Sequence, residues 1–132
     1  MKRPMNTDSK CRSFDSVLPS IVVEWELTDF DADQRLLAMS GVSLVVFTSQ
    51  GCSGCRWARQ QLPRQALDID QLCWIDAGDN GGVVERYQVF HLPALFVVRD
   101  GEFYGALQSR LTRTELNTAV GLALSRDPEE LP

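Results

Sequence analysis

At 132 residues, 44% hydrophobic and 23% charged, the chain has the size and composition of one soluble domain with a single core's worth of apolar residues. A net charge of -5 leaves no polybasic field for phosphate backbones, which excludes a nucleic-acid partner. No apolar run approaches the ~20 residues that cross a bilayer. The polar stretch from Asn6 to Ser13 behind Met1-Lys2-Arg3 supplies no signal-peptide h-region, so the chain reads as cytoplasmic, without a membrane partner.

Residues 1–16 carry no sustained periodicity and read as an N-terminal tail, residues 17–126 as the domain, and residues 127–132 as an acidic C-terminal tail. Ile21-Val22-Val23 suggests a first strand. Thr28 or Asp29 can cap a helix in which Phe30 and Leu37 share a face, and Gly41 stops it. Leu44-Val45-Val46-Phe47 is a continuous apolar run, the pattern of a strand covered on both faces. A helix follows, with Cys55, Ala58, Leu62 and Ala66 on one buried stripe, and Pro63 should kink or end it. Leu72 to Ile75 forms the next strand. The glycine-rich loop from Gly78 to Gly82 leads to a short helix carrying Val84 and Tyr87. Ala94–Val98 and Phe103–Leu107 are strands joined through Asp100-Gly101, a dipeptide suited to a type I′ hairpin, so they should be antiparallel neighbours. Thr112 and Glu115 form a capping box for a last helix, with Leu111 as the staple and Leu116, Ala119, Val120, Ala123 and Leu124 as its core stripe. The order is βαβαβαββα, an α/β fold.

Four cysteines are present, Cys11, Cys52, Cys55 and Cys73. Cys73 lies in an apolar run and reads as a buried thiol acting as a small hydrophobe; Cys11 lies in the polar tail and reads as a bystander. Cys52-Ser53-Gly54-Cys55 stands between a buried strand and a helix N-terminus. A thiolate at Cys52 would face the unpaired N–H groups of the first turn, which makes it the nucleophile, while Cys55 on the buried stripe is the resolving partner. Arg56 and Arg59 add positive charge nearby and read as a solvated helix face. The competing reading of C-x-x-C is half a zinc site. Only Cys11, Cys73 and His91 remain as further ligands, with no second pair at metal spacing, so no metal is assigned.

Val45-Val46-Phe47, Cys52-x-x-Cys55, His91-Leu92-Pro93-Ala94-Leu95-Phe96, Asp100-Gly101-Glu102 and the capped helix from Thr112 together resemble the thioredoxin family over residues 20–125. The resemblance implies a thioredoxin fold with a central mixed five-stranded sheet flanked by helices. It implies a cis-proline at Pro93, supported with Leu92, Ser53 and Gly54 beside the cysteines. It also implies thiol–disulfide exchange on protein or low-molecular-weight disulfides, with an unknown reductant. No bound cofactor is needed, because the cysteines carry the electrons, and the protein should be a monomer.

Relative to that family, Gly51 replaces an aromatic, Ser53-Gly54 replaces Gly-Pro, and Ser109 replaces a groove glycine. Val46 stands in place of a buried acid and Leu72 in place of its lysine partner. His91 and Trp57 are candidate modulators, against the plainer readings of a surface histidine and an aromatic packed under the tail. The alternatives to an oxidoreductase are a thioredoxin-like binding or chaperone module and a dedicated electron carrier for one partner.

Overall fold

A computed structural model describes residues 22–132. The N-terminal segment, with Cys11 and Ile21, lies outside the described residues. The elements are β1 (Val23–Leu27), α1 (Ala32–Ala38), β2 (Val42–Thr48), α2 (Ser53–Gln61) and a 3₁₀ turn (Leu62–Arg64), followed by β3 (Gln71–Asp76), α3 (Gly81–Arg86), β4 (Ala94–Arg99), β5 (Glu102–Leu107) and α4 (Arg113–Leu124). This is the expected order βαβαβαββα. The strands form one mixed five-stranded sheet in the order β1-β3-β2-β4-β5. β3 pairs in parallel with β1 and β2, whereas β4 pairs antiparallel with β2 and β5.

The sheet divides the core into two layers. Leu44 and Val46 of β2 face a cluster with Ala58 and Leu62 from α2 and the following turn, and with Leu116, Val120 and Ala123 from α4. Val45 and Phe47, their alternating neighbours, face Ala32 and Leu36 of α1 and Val83 of α3 together with Tyr87. Residues 43–48 are therefore all buried, which is why this strand reads as an unbroken apolar run rather than an alternation. Tyr87 packs edge-on against Phe96 and Phe103, and Phe47 completes the aromatic group.

Local signals account for most boundaries. Pro63 falls in the 3₁₀ turn directly after α2, and the helical pattern ends there. Ala66 is consequently exposed and Leu67 takes the buried position. Asp100 and Gly101 both adopt positive φ, 53° and 81°, as the β4–β5 hairpin requires. At the start of α4 the Thr112 hydroxyl accepts from the Glu115 N–H at 3.4 Å and donates to the Glu115 carboxylate at 3.2 Å. The segment after α4 returns to the sheet, with two 2.8 Å backbone bonds between Phe103 and Glu129.

The first helix differs from its sequence reading. Thr28 and Asp31 close a turn in which the Thr28 N–H donates to the Asp31 carboxylate at 2.8 Å, so the helix opens at Ala32. That later start rotates the buried stripe onto Ala32 and Leu36, both fully buried, and leaves Phe30 97% and Leu37 61% exposed. Leu36→Ala should therefore cost about 2–5 kcal/mol in urea unfolding, whereas Phe30→Ala and Leu37→Ala should each stay within about 0.5 kcal/mol of the parent.

Candidate active site

The register around β2 builds the site. Phe47 pairs with Ala94 on β4, and Thr48 pairs with Asp76 on β3. Because β4 runs antiparallel to β2, its leading residues Leu92 and Pro93 arrive beside the end of β2 where the cysteine loop begins. The Leu92–Pro93 peptide bond is cis. A Cβ placed on Gly54 would stand 3.6 Å from the Pro93 ring, so Pro93 lies against the first turn of α2.

Cys52 is the N-cap of α2, with extended backbone, and its sulfur accepts a hydrogen bond from the Cys55 N–H at 3.1 Å. The side chain thus occupies the capping position where the helix presents free donors. Cys52 and Cys55 are joined as a disulfide, Cα to Cα 5.2 Å. Their environments differ. Cys52 is partly exposed, whereas Cys55 is 1% exposed on the buried face of α2. Ser53 and Gly54, between them, are exposed.

Behind the disulfide, a cavity of about 400 Å³ is lined by Thr48, Ser49, Gln50, Cys55, Arg56, Arg59 and Asp76. Arg56 donates to the Gln50 carbonyl at 3.0 Å. Arg59 is held on three sides. Its guanidinium makes a forked pair with Glu26 at 2.7 and 3.1 Å, donates to the buried Thr48 hydroxyl at 3.0 and 3.3 Å, and lies 4.6 Å over the Trp74 ring. Arg59 is thus a fixed part of the cavity wall and not the freely solvated residue read from the sequence. Its spacing of four from Cys55, one helical turn, was the available signal.

The remaining positions are distributed as follows. Val46 and Leu72 are fully buried in the apolar cluster beneath the site, where Val46 is flanked by Trp74 and Leu95 on the neighbouring strands. His91 is exposed and opens onto a separate cavity of about 230 Å³ with Phe90, Leu107 and Gln108; it does not line the cavity of Cys55. Trp57 is 44% exposed on α2. Ser109 is partly buried and its hydroxyl donates to the Arg110 carbonyl at 2.7 Å. Cys73 is a free, fully buried thiol whose pKa burial pushes up to about 12. Among the described residues, no group of three or more His, Cys, Asp or Glu side chains is placed to hold a metal ion, and no helix is long and apolar enough to cross a membrane.

A cysteine pair at a helix N-terminus, beside a cis-proline and at the end of the central strand of a mixed sheet, defines a thiol–disulfide exchange centre. The chain is 32% identical over 80 residues to the thioredoxin of Staphylococcus epidermidis, a match spanning 58% of this chain and 75% of that protein. The thioredoxin of Staphylococcus aureus matches over the same shares at 30% identity. The structure of human ERp44 in its zinc-bound form shares the fold, with a TM-score of 0.57 and 15% identity over 78% of this chain and 32% of that one. No family profile matches the sequence. The protein belongs to the thioredoxin family and is a thiol–disulfide oxidoreductase with Cys52 and Cys55 as its exchange pair.

The asymmetry of exposure gives a direct chemical test. In reduced protein, limiting iodoacetamide should label Cys52 ahead of Cys55, and Cys73 should react only after unfolding; mass mapping of the alkylated peptides reads the order.

Proposed function

We propose that the protein reduces protein or low-molecular-weight disulfides by a two-step exchange in which Cys52 attacks and Cys55 resolves. The observation that carries this reading is the capping geometry. Cys52 is partly exposed and its sulfur receives the Cys55 N–H at 3.1 Å, whereas Cys55 is buried one turn inside the helix. After reduction, the same donors and the positive end of α2 favour a thiolate at Cys52.

The Cys52 thiolate attacks one sulfur of the substrate disulfide, forming a mixed disulfide and expelling the other substrate sulfur as a thiolate. Cys55 then loses its proton and attacks the Cys52 sulfur. The Cys52–Cys55 bond forms, the second substrate sulfur leaves, and both substrate thiolates take up protons from water. Two electrons pass to the substrate, and an external thiol or dithiol reductant returns the pair to its reduced state. The cysteines carry the electrons, so no cofactor is required.

Pro93 and Leu92 line the substrate approach beside Ser53 and Gly54, with Trp57 an exposed aromatic on the same helix. His91, which opens onto the neighbouring cavity, is assigned as a modulator of the exchange pair. The reading includes a monomer working in the cytoplasm. A free thiol in the core is compatible with such a reducing compartment.

A Cys55→Ser variant tests the assignment, because it can form the mixed disulfide but cannot release it. Incubation with a disulfide-bonded protein should accumulate a covalent adduct through Cys52 that a reductant dissolves. An absence of adduct would favour the binding-module alternative.

A further inference from the structure

We propose that Arg59 is a positioning residue for the resolving step: its fixed guanidinium, one helical turn from Cys55 and on the wall of the same cavity, stabilises the Cys55 thiolate that Val46 cannot assist. The inference rests on the reading of Cys55 as the resolving cysteine.

The need arises from burial. Cys55 is 1% exposed, and removing a thiolate from water favours the protonated form unless a nearby positive charge compensates. Val46 and Leu72, in the core layer that α2 enters through Ala58, are apolar and offer neither charge nor hydrogen bonds. The cavity lined by Cys55 places charged side chains on the wall it shares, Arg56, Arg59 and Asp76.

Charged side chains line the cavity from α2 and from the end of β3. From α2 come Arg59 and Arg56, the latter exposed and turned to the Gln50 carbonyl. From the end of β3 comes Asp76, whose carboxylate accepts the Gly78 N–H at 2.9 Å. Thr48, Ser49 and Gln50, from the end of β2 and its loop, carry no charge. From β1, Glu26 acts only through its forked pair with Arg59. On the proline side, Leu92 and Pro93 are uncharged, and His91 opens elsewhere.

Arg59 is the best fixed of these groups. An exposed ion pair alone contributes little, but the Glu26 fork, the Thr48 hydroxyl and the Trp74 ring together hold the guanidinium in one place. Glu26 has a second consequence. Its negative charge offsets part of the field that Arg59 exerts on Cys55, so the two partners of one salt bridge should act on the resolving step with opposite signs. A merely structural salt bridge predicts the reverse pattern, since losing either partner breaks the same contact.

The probe is the aromatic disulfide DTNB, mixed with reduced full-length protein carrying Cys11→Ser. The first equivalent of thionitrobenzoate reports attack by Cys52 and the second reports release by Cys55. Stopped-flow traces across pH give the midpoint of each step. Arg59→Gln should move the midpoint of release upward by about one pH unit, slowing release roughly tenfold near neutrality, with the attack step little changed. Glu26→Gln should move the release midpoint downward. Arg59→Lys, which keeps the charge without the fork, should stay nearer the parent than Arg59→Gln does. Release midpoints that move in the same direction in Arg59→Gln and Glu26→Gln, or that do not move, would overturn the proposal. So would Arg59→Lys behaving like Arg59→Gln. If the parent itself yields no second equivalent, it is the assignment of Cys55 as the resolving cysteine that fails, a result distinct from failure of the Arg59 proposal.

Discussion

The central strand β2 has no face to offer solvent: Leu44 and Val46 press into one core layer while Val45 and Phe47 press into the other. A strand buried on both sides tolerates no slip in register, because a shift of one residue would exchange the two apolar sets. That fixes its pairing with β3 and β4, and with it the place where the chain must leave the sheet. Thr48 is the last paired residue, and Asp76 and the segment before Ala94 are brought to its two sides. The helix that begins four residues after Ser49 has its N-terminus pointed at that junction, and Cys52 caps it. The chemistry is thus located by the packing of residues that take no part in it.

Exposure then divides the labour between two identical side chains. Cys52 sits outside the helix proper, open to solvent and to the backbone donors of the first turn; Cys55 is inside it, on the stripe shared with Ala58. Reactivity in a thiol follows its ionisation, so three residues of separation produce a ready nucleophile and a guarded one. The apolar pair Val46 and Leu72 adds to the stability of the core layer beneath but gives the guarded thiol no polar neighbour. Charge reaches it instead from the rim, through Arg59 and the residues that hold it. The field of a fixed cation can be partly neutralised by its partner, so the site is open to tuning from Glu26 on β1, an element that carries no other part of the exchange centre.

Much of this was legible in the sequence because the strongest signals are local and mutually consistent. The unbroken run from Leu44 to Phe47 indicated a doubly covered strand, Asp100-Gly101 gave the antiparallel hairpin, and Thr112 with Glu115 marked the last helix. The cysteine pair was placed at a helix start by the same logic. What escaped depended on where an element begins or on contacts between distant segments. The turn closed by Thr28 and Asp31 delays α1 and trades Phe30 and Leu37 for Ala32 and Leu36, although Phe30, larger and more apolar than Ala32, was by composition the better candidate for burial. Pro63 ended α2 as anticipated, yet the stripe extrapolated to Ala66 did not survive that ending. The grip on Arg59 could not be read at all, because Glu26, Thr48 and Trp74 come from three different strands and meet it only through the sheet register.

The most direct test of the account is turnover on a protein disulfide. Substoichiometric protein added to insulin and excess dithiothreitol should accelerate disulfide reduction, followed as the turbidity of the released chains. Cys52→Ser should return the rate to that of dithiothreitol alone. Reduced, correctly folded parent protein that gives no acceleration, or a Cys52→Ser variant as active as the parent, would contradict thiol–disulfide exchange at this pair.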